Sequence, residues 1–156
     1  MSKFSELFAG PYFWAAFCPW VVAQICKMIS SLVQTRRLDL RYLVSTGGMP
    51  SAHSALVMGL STVVGLKEGF GSASYAVALG FAVIVMFDAS TVRRAAGMQA
   101  RLINEMVDEL FKEHRFSEQK LKELLGHTRL EVFMGMIVGV LTGMLVYSWW
   151  VAFTVA

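Results

Sequence analysis

Cysteine is almost missing from this chain. Cys18 and Cys26 are the only two among 156 residues, and both stand in apolar sequence, so a disulfide scaffold is excluded and buried thiols are expected. No Cys-x2-Cys pair exists, which excludes zinc cages built on that spacing. Proline is scarce, at 3, and glycine stands at 13, which excludes collagen-like repeats and Pro/Gly-rich disorder. Charged residues make up only 16%, and a net charge of +3 is too small to indicate nucleic acid as a partner. Against these shortages stands a hydrophobic fraction of 56%, above the roughly 45–50% of a soluble globular chain. The length allows one domain, 1–156, and the composition is that of a membrane protein.

The places where charge is absent define the architecture. No Asp, Glu, Lys or Arg occurs for 20 residues between Glu6 and Lys27, for 25 between Arg41 and Lys67, for 19 between Glu68 and Asp88, or for the 25 that follow Glu131. A bilayer span needs about 20 predominantly apolar residues. The expected fold is therefore an all-α integral membrane bundle of about four spans, near Tyr12–Ser30, Ser51–Leu66, Ser74–Phe87 and Val132–Phe153. A soluble bundle with buried helices is the alternative that such long uncharged runs disfavour. The first span lacks the basic start, short apolar core and small-residue cleavage site of a signal peptide.

Between the third and fourth spans, Leu102, Ile103, Met106, Val107, Leu110 and Phe111 recur at helical spacing, with Glu105, Asp108, Glu109, Lys112 and Glu113 on the other face. An amphipathic helix over Gly97–His114 is expected, packed on the bundle or lying at the membrane interface. A second short helix is expected to begin near Ser117. With four spans, the segment 93–130, holding eight Lys/Arg, and the first loop, holding Arg36, Arg37 and Arg41, fall on one side. Lys3 and Lys67 fall on the other, so the positive-inside rule puts the charged loops in the cytoplasm.

Four places set costly polar groups at span ends. They are Lys27; His53 within Gly47-Gly48-Met49-Pro50-Ser51-Ala52-His53-Ser54; Asp88, Arg93 and Arg94; and His127 with Glu131. Ionisable groups at membrane depth are functional candidates by default. All four places fall at the same predicted side, where one pocket can gather them. His127 and Glu131 are four apart and share a helix face, so the carboxylate can fix the imidazole tautomer and leave the second ring nitrogen to attack. The ordinary alternative is a helix-surface pair. Pro50-Ser51 is good helix-start chemistry, either a plain cap or a cap whose N–H groups meet an anion. His53 stands in the first turn, placed to act as a general acid. Arg93 and Arg94 carry forked donors suited to phosphate and Lys27 adds a point charge, although snorkelling from span ends also explains them. Two histidines, a carboxylate behind one of them and several cations form the inventory of phosphoryl transfer through a phosphohistidine. Such chemistry needs no metal and no cofactor, because the cations neutralise the developing charge.

These stretches, with Asp88–Ala100 and Leu124–Gly135, resemble the type 2 phosphatidic acid phosphatase superfamily, relatives of bacterial acid phosphatases and vanadium-dependent haloperoxidases. The closer resemblance, from about Ala23 to Gly139, is to its divergent, short bacterial and plant branch. The superfamily pattern is Lys-x6-Arg-Pro, then Pro-Ser-Gly-His, then Ser-Arg-x5-His-x3-Asp. Pro50-Ser51-Ala52-His53 matches the second part, with Ala for Gly, and implies that His53 is the general acid and Ser51 a phosphate contact. His127-x3-Glu131 matches the end of the third, with Glu for Asp, and implies that His127 is the nucleophile and Glu131 its orienting partner. The third part lacks its arginine, since Leu121 stands six residues before His127; Arg93, preferred over Arg94, takes that role if residues 95–120 are an insertion. The first part is broken, with Gln34 where an arginine is expected after Lys27, and Arg36, Arg37 or Arg41 are the available substitutes. Asp88 is assigned to hold one of the arginines or to a role particular to the branch. His114 is given no chemistry.

The resemblance implies a membrane phosphatase of a bacterial inner membrane, acting at the cytoplasmic face on a phosphate monoester, with a lipid phosphate as the favoured substrate. The rival readings are a protein that binds or moves a phospholipid head group with the same cationic pocket, a vanadate-dependent oxidase of halide, and a structural bundle without a ligand. The Gly135-x3-Gly139-x3-Gly143 face of span four suits close packing, within the chain or between copies in a homo-oligomer.

Overall fold

Helix starts and stops in this chain are written in its small and polar residues. The computed structural model describes residues 3–36, 48–110 and 127–154, as helices joined by tight turns. A short helix, α1 (Lys3–Ala9), leads through Gly10 into α2 (Pro11–Thr35), whose first position is a proline. α2 ends where Arg36 turns left-handed, at φ 52°, and its N–H donates to the Leu32 carbonyl at 2.9 Å. Ser51 caps α3 (Ala52–Glu68), and Gly69, at φ 92°, stops it. Ser72 caps α4 (Ala73–Ser90) by accepting from the Tyr75 N–H at 3.2 Å. After a break at Thr91 comes α5 (Val92–Leu110), and α6 (Arg129–Thr154) closes the described chain.

The all-α membrane bundle is present. Three segments, Pro11–Val33, Ala73–Val107 and Arg129–Thr154, contain helix long and apolar enough to cross a membrane. α3 has 17 residues, about 25 Å of helix, at the lower end of spanning length. It is the centre of the bundle, touching α2, α4 and α6. The boundaries shift from the sequence reading in two ways. α2 runs one turn past Ser30, and the amphipathic helix starts at Val92 instead of Gly97. Arg93 and Arg94 therefore belong to the first turn of α5. α1 was not expected from the sequence. Arg37, Asp39, Arg41, His114 and the helix expected near Ser117 lie outside the described residues, as do the side chains of Arg93 and Arg94.

Small residues make the interior and large apolar ones make the outside. Ala23, Ala52 and Ala55 form a buried nucleus against which Trp20 and Val138 pack. Val33, Val77 and Leu145 are each at least 70% exposed, an arrangement that only a lipid surround makes favourable. The glycine face of α6 is used inside the chain. A Cβ on Gly139 would sit 2.5 Å from the Ala55 carbonyl, and one on Gly143 2.8 Å from that of Gly59, while Gly135 lies against Ser51. Three contacts at successive four-residue intervals thus pair α6 with α3, and the two helices run parallel. α2 runs antiparallel to both, with Ala15 and Pro19 over Gly59. At the end away from the histidines, the Tyr12 hydroxyl donates to the Glu68 carboxylate. There the Lys67 ammonium lies 4.4 Å from the Tyr12 ring centre and 4.6 Å from that of Trp150, tying α2, α3 and α6 together.

Candidate active site

The other end of the bundle carries the chemistry. Ser51 is fully buried, and its hydroxyl accepts from the Ser54 N–H at 3.4 Å, which starts α3 and sets His53 in the first turn. α6 starts with a reciprocal cap. The Thr128 N–H donates to the Glu131 carboxylate at 2.9 Å, and the Glu131 N–H donates to the Thr128 hydroxyl at 3.2 Å. The same carboxylate oxygen lies 3.1 Å from His127 Nδ1, so Glu131 both caps the helix and orients the imidazole. His127 is 4% exposed, and its other ring nitrogen, Nε2, is buried. A backbone hydrogen bond from the Ser51 N–H to the Glu131 carbonyl, 2.9 Å, locks the two helix starts together. It brings the His53 and His127 rings to 6.5 Å between centres, at 58° to one another.

Lys27 reaches the same place from α2. It is 2% exposed, and its ammonium lies close enough to the Glu131 carboxylate for their charges to attract. Gln24 and Ser31 stand one turn to either side of Lys27 and are buried with it, making a polar stripe in an otherwise apolar helix. The structure therefore gathers Lys27, Ser51, His53, His127 and Glu131. Asp88, half-buried in the last turn of α4, and Arg93 and Arg94, in the first turn of α5, share that end of the bundle. Among the described residues, no three His, Cys, Asp or Glu side chains cluster as metal ligands would.

Sequence reading missed four participants. Thr128 was legible as the start of Thr-x-x-Glu, a capping-box spacing. Gln24 and Ser31 were legible by their spacing of three and four from Lys27 on one helix face. Ser54, fully buried with its Oγ making no hydrogen bond among the described residues, had no signal beyond its place beside His53.

A family model described as "Divergent PAP2 family" matches residues 8–142, which contain every one of these side chains. The chain belongs to the divergent PAP2 family. A curated relative from Bacillus subtilis (strain 168), "Uncharacterized membrane protein YuiD", is 44% identical, over 78% of this chain and 84% of its own. No solved structure matches this divergent PAP2 chain. The family match covers all of α3 and the first half of α6, with both histidines. The relative's description as a membrane protein agrees with the apolar outer surface of the bundle.

Proposed function

We propose that this divergent PAP2 protein is a membrane phosphatase that hydrolyses a phosphate monoester, with a lipid phosphate as substrate, through a phosphohistidine. The observation that carries the reading is the buried His127, oriented by Glu131 at 3.1 Å and facing a second histidine at 6.5 Å. That arrangement supplies a nucleophile, its orienting carboxylate and a general acid at one end of the bundle. Nε2 of His127 attacks phosphorus in line with the ester oxygen, a nitrogen–phosphorus bond forms, and the ester bond breaks. His53 gives its proton to the leaving alkoxide. Glu131 balances the positive imidazole. Lys27, with Arg93 and Arg94, neutralises the phosphoryl oxygens, and the N–H groups at the Ser51 helix start add donors. Water then attacks the phosphohistidine while His53 takes its proton, releasing phosphate and restoring both rings. The excess of Lys and Arg on the loops at this end supports a cytoplasmic site in a bacterial inner membrane.

The test is phosphate release from a panel of lipid phosphates by the purified chain in detergent. Turnover is expected in the wild type, none above background with His127→Ala, and a fall of about 10²–10⁴-fold with His53→Ala. Wild-type protein that binds lipid phosphates but releases no phosphate from any of them would replace catalysis with head-group binding or transport.

A further inference from the structure

α5 follows a membrane-crossing helix but is of a different kind. One residue, Thr91, separates it from α4, and among the described helices only α4 touches it. At about 3.6 residues per turn its side chains fall on three faces, each roughly a third of a turn from the next. On the first, Gly97 and Asn104 are buried, with Ala100 and Val107 half-buried beside them. On the second, Arg101 and Glu105 pair at 2.8 Å, and both side chains are more than half exposed. On the third, Val92, Leu102, Ile103 and Met106 are 46–60% exposed. One face is covered, one is charged, and one is apolar and uncovered. Water suits the charged face, but it does not suit a stripe of four large apolar side chains.

The neighbouring surface indicates what covers that stripe. On α4, Ile84 and Phe87 are 68% and 65% exposed, on the outside of a helix long and apolar enough to cross a membrane. α5 begins one residue after that helix ends, and so begins at the membrane surface. Within Val92–Leu110 the arginines Arg93, Arg94 and Arg101 are matched by Glu105, Asp108 and Glu109, so the helix has no net charge with which to attract an acidic or a basic macromolecule. We propose that α5 lies along the membrane surface at the histidine end, with Val92, Leu102, Ile103 and Met106 sunk into the lipid and Arg101 and Glu105 in water. A helix of this pattern buries its apolar stripe roughly 5–10 Å into the boundary between head groups and acyl chains. The partner is the lipid surface itself, and a neutral helix needs no anionic lipid to sit there. The seat holds 19 residues, about 28 Å of helix, in the plane of the membrane. It also fixes the level of the first turn, with Arg93 and Arg94, beside the end of α4. The inference stands apart from the phosphatase reading, since a chain that hydrolyses nothing would seat α5 in the same way.

Two measurements on the full chain in phosphatidylcholine vesicles test this. In a chain with Cys18 and Cys26 replaced by serine, Leu102→Cys, Met106→Cys, Arg101→Cys and Glu105→Cys are made singly and spin-labelled. The ratio of collisions with oxygen, which concentrates in lipid, to collisions with a water-soluble nickel chelate is expected to be at least threefold higher for the first two than for the last two. Equal ratios overturn the proposal. Labels at Leu102 and Met106 that are shielded from both reagents also overturn it, because protein, from this chain or a second copy, would then cover the stripe. The second measurement needs no substitution. Phosphatidylcholine carrying a photoreactive diazirine near the head of its acyl chain is expected to label Val92, Leu102, Ile103 and Met106 at least threefold more than Arg101 and Glu105. An α5 that takes no label overturns the proposal, and so does label spread evenly around the helix.

Discussion

Glu131 holds two jobs that chemistry can separate. As the third residue of a capping box it closes the first turn of α6 on the Thr128 N–H, and as a carboxylate it faces His127 Nδ1. Gln can make the first contact, since its amide oxygen accepts the same N–H, but it carries no charge to balance an imidazolium. Glu131→Gln is expected to leave thermal stability within about 0.5 kcal/mol of wild type and to lower kcat by about 10²–10⁴-fold. Glu131→Ala loses the cap as well and is expected to cost about 1 kcal/mol more. Thermal unfolding in detergent beside steady-state phosphate release reads both. Equal activity in the Glu131→Gln variant and the wild type would remove the orienting role. At this scale the right pair was legible in the sequence, but for a different reason: His127 stands ahead of α6, and it meets Glu131 across the capping turn at Thr128 instead of along a helix face. The partnership of Lys27 with Glu131 was not, because it depends on how α2 docks.

Helix docking is where small residues decide. The α3–α6 contact is backbone on backbone, and a methyl group on Gly139 would need space occupied by the Ala55 carbonyl. Gly139→Ala is expected to destabilise by about 1–3 kcal/mol, the range for overpacking a filled interior, although alanine is the better helix former. A methyl group on Gly80, in α4, would meet nothing within 4 Å, so Gly80→Ala is the matched control and is expected to be neutral or mildly stabilising. A Gly139→Ala protein that melts at the wild-type temperature would show that the helices slide apart freely. The Gly-x3-Gly-x3-Gly pattern announced close packing in the sequence. It did not announce the partner, since Ser51, Ala55 and Gly59 form an equally plain small-residue series that only the fold sets opposite it. The break at Thr91 was hidden for another reason: nothing in Asp88–Arg94 is a glycine or proline, and the chain leaves helical geometry through the Thr91 backbone alone, at φ −122° and ψ −72°.

The whole molecule is polarised from end to end. Lys27, both helix caps and both histidines occupy one end, while Lys67, stacked between the Tyr12 and Trp150 rings, occupies the other. Single cysteines at Arg36 and at Phe70, in a chain with Cys18 and Cys26 replaced by serine, are expected to be labelled by a membrane-impermeant maleimide from opposite sides of an intact membrane. The Arg36 position is expected to react only from the cytoplasm, and labelling of both from one side would undo the topology. The uncharged runs gave this polarity from sequence alone, because a missing charge over twenty residues has few meanings in water. The parallel pairing of α3 with α6 has a consequence of its own. Neighbours that run the same way cannot be joined by a short turn, and α4 makes the return journey between them. The end of α4 and the start of α6 both lie at the end that carries the histidines, so the length of chain between Arg94 and His127 is uncoupled from the α3–α6 register. Insertions or replacements between those two points can change regulation or partners while the pair of rings stays where it is.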